Sequence, residues 1–93
     1  MLVEVNLSCN VIERMEEFDQ LKFLRKLDLS SNKIRVINGL KGLTNLLSLN
    51  LSGNKITTVE PLLQLAPANY KLKQLDLSDN SLHNLAEIDL LPK

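Results

Sequence analysis

Few side chains in this 93-residue chain could form a covalent bond to a substrate. Its one cysteine, Cys9, and its one histidine, His83, could in principle supply a thiolate–imidazole pair. Such a pair needs the two side chains within hydrogen-bonding reach. Cys9 directly precedes the first of four regularly spaced asparagines and His83 follows the last, so three repeats separate them. We therefore expect Cys9 to fill a serine-like position and His83 to lie on the surface.

Other catalytic and ligand-binding chemistry also lacks the residues it requires. Four serines recur at equivalent positions, but none has a neighbouring base. No cysteine and histidine spacing suits zinc. The three glycines, Gly39, Gly42 and Gly53, do not form a phosphate-binding loop and are assigned to bends. The sequence predicts a protein that is not an enzyme, with no cofactor, no metal and no small-molecule substrate.

Asparagine supplies the polar chemistry that recurs most regularly. Asn10, Asn32, Asn54 and Asn80 each close the phrase apolar-x-Leu-x-x-Asn-x-apolar. A carboxamide both accepts and donates hydrogen bonds, and buried backbone groups at a bend need such partners. The phrase therefore predicts a structural asparagine ladder, in which Asn32→Leu costs about 1–3 kcal/mol.

The elements that position these asparagines follow from the apolar spacing. The asparagines lie 22, 22 and 26 residues apart, a period typical of a solenoid. Leu27 and Leu29 are two residues apart, which is the strand period. Ile34, Ile37 and Leu40 follow in steps of three, the period of a 3₁₀ helix. Each repeat therefore predicts a short strand, a bend and a 3₁₀-like return segment.

Composition supports one domain and excludes several classes of protein. The domain spans residues 1–93, with repeats at approximately 2–23, 24–45, 46–71 and 72–93. Eleven basic residues balance eleven acidic ones, so we expect no direct nucleic-acid binding. No run of 18 apolar residues predicts a membrane span. A single cysteine and the absence of a signal peptide favour an intracellular, cytoplasmic location.

The phrase L-x-x-L-x-L-x-x-N-x-I-x-x-I-x-x-L-x-x-L resembles the SDS22-like class of leucine-rich repeats, and residues 24–43 match it throughout. The resemblance implies a right-handed α/β solenoid with a parallel sheet on the concave face and 3₁₀ or short helical segments on the convex face. It also implies an intracellular adaptor. Members include a phosphatase regulator, a spliceosomal protein, a dynein light chain and coiled-coil proteins of centrosomes or cilia. The extended fourth repeat also resembles that of leucine-rich repeat and coiled-coil centrosomal proteins.

The ends of the sequence lack the polar caps expected of terminal repeats. Leu2 enters the first strand phrase directly, and Leu91, Pro92 and Lys93 stop one step before another strand phrase. We expect the chain to be part of a longer protein, the alternative being a fragment that tolerates exposed ends.

Side chains that alternate with the strand leucines should form rows across the concave face. These rows predict the contacts to a protein partner. The rows read Val3, Arg25, Leu47, Lys73; then Glu4, Lys26, Ser48, Gln74; then Asn6, Asp28, Asn50, Asp76; then Ser8, Ser30, Ser52, Ser78; and Cys9, Ser31, Gly53, Asp79. The Asn/Asp and serine rows are also what an average repeat carries. The first two rows vary more between repeats, so they are the better candidates for specific contacts to a partner. Arg25 and Lys26 could equally be a solvated cluster with Asp28.

Two further features offer candidate contacts. Lys22 to Lys41 contains six basic residues and one acid, and this band could meet an acidic peptide or simply offset the acidic first repeat. Four extra residues precede the fourth strand phrase, and before them the sequence predicts a helix with Thr58 as its N-cap that runs through Leu65. Tyr70 ends the insertion and could anchor a partner or pack over the loop.

Two functions remain open from the sequence. The first is a scaffold that binds a partner protein through the concave face and the insertion, in a cytoskeletal, centrosomal or ciliary setting. The second is a structural spacer that positions other domains, or an adaptor associated with a phosphatase or a ribonucleoprotein particle.

Overall fold

The computed structural model describes residues 3–15, 18, 21–40, 42–63 and 71–82. The described elements are four three-residue strands and one short helix: β1 (Glu4–Asn6), β2 (Lys26–Asp28), β3 (Ser48–Asn50), α1 (Glu60–Leu63) and β4 (Gln74–Asp76). The strands form one sheet in the order β1-β2-β3-β4, and every neighbouring pair is parallel. One strand per repeat, stacked in chain order, is the arrangement of a solenoid.

The sheet register follows the sequence repeat residue by residue. Val5 pairs with Leu27, Leu27 with Leu49, and Leu49 with Leu75. The four extra residues that precede the fourth strand phrase therefore leave the register of β4 unchanged. Hydrogen bonds between repeats also continue past the strands, for example from the Ser31 N–H to the Ser52 carbonyl at 2.9 Å.

The return segments are built from i to i+3 hydrogen bonds, as the three-residue apolar steps predict. The Leu24 N–H donates to the Leu21 carbonyl, and the Leu46 N–H donates to the Leu43 carbonyl. The Leu62 N–H donates in the same way to the Val59 carbonyl. This pattern is the 3₁₀ geometry, in which apolar side chains three apart lie on one edge. The α/β solenoid with a parallel sheet and 3₁₀ or short helical return segments is thereby confirmed.

Helix α1 lies where the sequence predicts a helix. It begins at Glu60, two residues after Thr58, the predicted N-cap. Val59 is fully buried, as is Leu62 on the helix itself. The predicted continuation to Leu65 and the contact surface at Tyr70 lie outside the described residues, as does His83.

The core is aliphatic and is densest in the two central repeats. Fifteen apolar side chains form one buried cluster, to which Met15 and Phe18 contribute from the first repeat. Leu29 and Leu51 are fully buried, whereas the equivalent Leu7 and Leu77 are half-buried. A rung between two others is covered on both sides and buries its leucines completely.

Candidate functional site

The asparagine ladder occupies the bend between each strand and its return segment. The Asn32 side-chain amide accepts from the Ile12 N–H at 3.1 Å and donates to the carbonyls of Leu7 and Leu29 at 3.0 Å. It also lies 3.1 Å from the Ser30 carbonyl. Asn32 therefore joins its own bend to the backbone of the preceding repeat.

The two asparagines that follow repeat this geometry. Asn54 accepts from the Ile34 N–H and donates to the Leu29 carbonyl, both in the preceding repeat. Asn80 accepts from the Ile56 N–H at 3.0 Å. The ladder is thus a structural feature that uses its polar atoms within the fold.

Asn10 differs from the other three members of the ladder. Its side chain is exposed and donates to the carbonyls of Leu7 and Ser8 within its own repeat. Among the described residues, the side-chain hydrogen bonds of Asn10 therefore stay within one rung.

The Asn/Asp row of the concave face also has a role inside the fold. In each strand the Oδ1 atom of this residue accepts from the serine two residues later, through both its N–H and its hydroxyl. The hydroxyl distances are 2.6 Å for Asn6–Ser8, Asp28–Ser30 and Asp76–Ser78, and 2.8 Å for Asn50–Ser52. These are local turns of the kind that Asn, Asp and Ser favour. Both rows are aligned across the sheet, and the pairing of each Asn or Asp with its serine was not predicted from the sequence.

A strained backbone position follows each of these turns. Cys9, Ser31 and Asp79 have φ values of 58°, 56° and 56°, and Gly53 at the equivalent position has a φ of 68°. The left-handed region costs a residue with a Cβ about 1–2 kcal/mol, which glycine avoids. Cys9, a free and exposed thiol, therefore holds a position set by the turn.

Asp76 carries a pKa shift within this row. Hydrogen bonds from the Ser78 hydroxyl and then from the Ser78 backbone N–H hold the pKa of the Asp76 carboxyl below its ordinary value. The carboxylate is solvent-exposed, so the shift reflects these two hydrogen bonds and not burial. Asp76 is therefore an anion at neutral pH.

The row before it keeps its side chains free of such turns. Glu4, Lys26, Ser48 and Gln74 occupy equivalent positions on the four strands. The Lys26 Nζ lies 3.6 Å from the Glu4 Oε1, and both side chains are about two-thirds exposed. An ion pair this exposed contributes little to stability. Lys26 thus pairs with Glu4 across the sheet, a partner that the sequence did not predict.

The flanking row lies at the start of the strands. The N–H groups of Arg25 and Lys26 both donate to the Val3 carbonyl, at 2.7 and 3.1 Å. The Arg25 carbonyl likewise accepts from two successive N–H groups of the third repeat, and the Leu47 carbonyl from two of the fourth. Val3, Arg25, Leu47 and Lys73 are therefore aligned across the sheet, with Arg25 and Lys73 exposed and Leu47 half-buried.

The concave face contains a shallow depression of about 410 Å³ across the first three strands. Its polar lining consists of Glu4, Asn6, Lys26, Asp28, Ser48 and Asn50. The register thus brings together six of the residues predicted from the sequence to contact a partner. Arg25, Leu47, Lys73, Gln74 and Asp76 lie in the same rows beside it.

A larger depression, of about 650 Å³, lies on the return side of the first two repeats. Its lining mixes Glu13 with Arg14 and Arg35, and includes the exposed Val36. These side chains belong to return segments and are not aligned across the rungs by a strand register. The concave depression is therefore the better candidate site.

The described part of the chain offers little for other chemistry. No group of three His, Cys, Asp or Glu side chains is placed there to hold a metal ion. Within the same residues, no helix has the length and hydrophobicity to cross a bilayer.

One parallel strand per repeat, 3₁₀-type returns and an asparagine that bridges successive rungs define a leucine-rich repeat solenoid. The chain belongs to the leucine-rich repeat family: a model of two leucine-rich repeat copies matches residues 22–64, and a model of a single leucine-rich repeat matches residues 71–91. Such repeats generally mediate protein–protein interaction and are typically not enzymatic. A search of curated proteins gave no significant match.

Proposed function

We propose that this protein is an adaptor that holds a segment of a partner protein against the concave face. The observation that carries the proposal is a difference in side-chain hydrogen bonding between two neighbouring rows. The Asn/Asp row is committed to turns inside the fold, whereas Glu4, Lys26, Ser48 and Gln74 present side chains that the fold does not require. Residues without a structural use, aligned on a rigid sheet, are suited to recognition.

A solenoid presents such a row in a form suited to an extended ligand. Neighbouring strands lie about 4.8 Å apart, so four equivalent positions span roughly 14 Å. A segment of a few residues that crosses the strands meets one side chain from every repeat. Because the repeats are joined by the asparagine ladder, the row keeps its spacing without the partner.

The binding experiment compares two surfaces of the same chain. The concave variant combines Lys26→Glu, Ser48→Arg and Gln74→Arg, which adds bulk and changes charge in the central row. The control variant combines Lys33→Glu and Lys55→Glu at exposed positions beyond the bend. Each is used to capture proteins from a cell lysate, beside the unchanged chain, after circular dichroism has established equal folding.

The adaptor proposal expects the concave variant to lose proteins that the unchanged chain and the control variant both retain. A spacer that binds nothing through this face would give the same captured set with all three chains. That second result would overturn the proposal and favour the structural spacer.

We also propose an intracellular setting within the SDS22-like class, at a cytoskeletal, centrosomal or ciliary site. The 22-residue spacing and the i to i+3 hydrogen bonds of the return segments support the class. The free Cys9 supports a reducing compartment. Fluorescence microscopy of the tagged protein with a centrosomal marker tests the setting, and secretion or a diffuse distribution would contradict it.

A further inference from the structure

The basic residues of the second repeat do not form the single band that the sequence suggested. Arg25 directly precedes β2 and Lys26 is its first residue. Lys33 and Arg35 lie beyond the bend that follows the strand. Three of the rows, those that contain Asp28, Ser30 and Ser31, and the asparagine ladder separate the two groups. The charge of each group must therefore be considered with that of its neighbours in the adjacent repeats.

Arg25 gains a basic neighbour from the fourth repeat. The Leu47 N–H donates to the Arg25 carbonyl at 2.8 Å, and the Lys73 N–H donates to the Leu47 carbonyl at 2.9 Å. Two steps of the sheet place the backbones of Arg25 and Lys73 roughly 10 Å apart. The half-buried Leu47 side chain lies between these two exposed cations.

A second pair of lysines lies just before the strands. The Asn45 side-chain amide donates to the Lys22 carbonyl at 3.0 Å and accepts from the Lys71 Nζ at 3.4 Å. Phe23, beside Lys22, is 59% exposed. We call this surface the basic rim; its cations are Lys22, Arg25, Lys26, Lys71 and Lys73.

The basic rim has few carboxylates to balance it. Among the described residues, Glu4 is the acid that forms an ion pair there, and its partner is Lys26. Arg25 and Lys73 have no carboxylate within ion-pair distance in that part of the chain. Within the described residues, the rim therefore combines the positive charge of Arg25 and Lys73, which no ion pair balances there, with apolar surface from Leu47 and Phe23.

The carboxyl ends of the strands, on the same face of the sheet, limit what can cover the rim. Asp28 and Asp76 end β2 and β4, two residues beyond Lys26 and Gln74. Two residues of a strand span about 7 Å. A broad anionic surface, such as a bilayer or a nucleic-acid duplex, would meet these carboxylates as well as the cations. A single extended chain is narrow enough to contact the rim alone.

We infer that the basic rim binds an acidic segment of a partner protein, with carboxylates that engage Arg25 and Lys73 and an apolar side chain that packs on Leu47. This inference rests on the proposed adaptor function and assigns the chemistry of its ligand. Each surface ion pair contributes modestly, so the affinity is expected to be weak and sensitive to salt.

The test uses fluorescence anisotropy with a labelled peptide of alternating glutamate and leucine. A second peptide replaces every glutamate with glutamine, and a third replaces it with lysine. The protein variants are Arg25→Glu with Lys73→Glu in the rim, and Lys33→Glu with Lys55→Glu as a control that makes the same change in net charge. Vesicles that contain an anionic phospholipid provide the membrane arm.

We expect the protein to bind the glutamate peptide and neither of the other two peptides. We also expect this binding to be lost as the salt concentration is raised. The rim variant should weaken it by about tenfold or more, and the control by less than about twofold. Equal binding of the glutamate and glutamine peptides, or no binding of the glutamate peptide, would overturn the inference. A rim variant that binds the glutamate peptide as tightly as the unchanged protein would also overturn it. The same holds for anionic vesicles that displace the peptide and bind more tightly. If lysate partners depend on the concave row while the glutamate peptide fails to bind, the inference fails and the adaptor function stands.

Discussion

Asparagine is the residue that couples one repeat to the next. Asn32 and Asn54 are almost completely buried, and each bonds to backbone atoms on two rungs. Leucine at these positions would keep the volume and lose every one of these bonds. A buried backbone group left without a partner costs about 1–3 kcal/mol.

Asn32→Leu should therefore destabilise the protein by at least about 1–3 kcal/mol, because the Ile12 N–H and the Leu7 carbonyl lose their partner. Asn10→Leu is the matched control, since Asn10 is exposed and bonds only within its own bend. Urea denaturation of both variants measures the difference. Equal free energies of unfolding would show that the ladder does not couple repeats.

Glycine is required most strictly at position 39. Gly39 has a φ of 74°, and a Cβ there would lie 3.1 Å from the Met15 carbonyl oxygen. Gly53 has a similar φ, but a Cβ there would make ordinary contacts with Ser31 at 3.4 Å. Gly39→Ala should cost more than the roughly 1–2 kcal/mol of the left-handed conformation alone.

Gly53→Ala provides the comparison, because equivalent positions already hold Cys9, Ser31 and Asp79. Thermal unfolding should show the larger loss of stability for Gly39→Ala. A larger loss for Gly53→Ala would contradict the close approach to Met15.

The Asp76 carboxylate makes a contribution to the free energy of unfolding that depends on pH. Its folded pKa is lowered by the two bonds from Ser78, so the contribution is present above the unfolded value of about 3.9. The contribution is lost as the pH falls through the lower folded pKa. Asp76→Asn should remove this dependence, because Asn50 accepts from Ser52 in the same way.

The measurement is the denaturation midpoint of both proteins between about pH 2 and 5, with the Asp76 carboxyl titration followed by nuclear magnetic resonance. Ser78→Ala should return that carboxyl to its ordinary range. A carboxyl that titrates normally in the unchanged protein would contradict the assignment.

Among the elements, the strands differ in how much they stabilise the fold. Leu49 on β3 is buried between two rungs, whereas Leu75, its partner on β4, is half-buried. Large-to-small changes at full burial cost about 2–5 kcal/mol, and the cost falls with exposure. The central rungs therefore carry most of the stability.

Leu49→Ala should lower the free energy of unfolding by about 2–5 kcal/mol, and Leu75→Ala by about 1–2 kcal/mol. Both leucines occupy the same strand position, so the comparison isolates burial. Urea denaturation measures both. Equal losses would contradict the higher burial of the central rungs.

The sequence predicts these elements well because each repeat states the same pattern independently. The two-residue step at Leu27 and Leu29 and the three-residue steps after Asn32 suffice for strand and return segment. Side-chain pairing is harder to predict from the sequence. Asp28 has Arg25, Lys26 and Ser30 as nearby candidate partners, and the sequence alone does not distinguish them. In the structure Asp28 pairs with Ser30, because the turn brings the N–H and the hydroxyl of Ser30 to the Asp28 Oδ1 atom.

At the scale of the whole molecule, stacking converts separate residues into surfaces. Arg25 and Lys73 are 48 positions apart in the chain, yet they lie in one row of the sheet. Conversely, Arg25 and Lys33 are close in sequence and lie on different sides of the bend. The alignment of the repeats predicted that Arg25 and Lys73 share a row, whereas a count of charge along the sequence wrongly groups Arg25 with Lys33. The sequence did not predict the Asn45 contacts that bring Lys22 and Lys71 into the basic rim.

Among the described residues, the row of Glu4, Lys26, Ser48 and Gln74 has the exposed Lys26–Glu4 ion pair as its one polar side-chain contact. The apolar side chains fill the interior, the asparagines join the rungs, and the Asn/Asp and serine rows close the turns. The row centred on Ser48 remains, together with the rim beside it. The function proposed here depends on that row being the place where the partner lies.

Site-specific photo-crosslinking in a cell lysate tests this most directly. A photo-reactive phenylalanine analogue is placed at position 48, at the centre of the concave row, and in a second protein at position 55, beyond the bend. We expect a discrete protein adduct from position 48 that excess unlabelled protein competes away, and none from position 55. Adducts from position 55 alone, or the same adducts from both, would contradict a concave binding site.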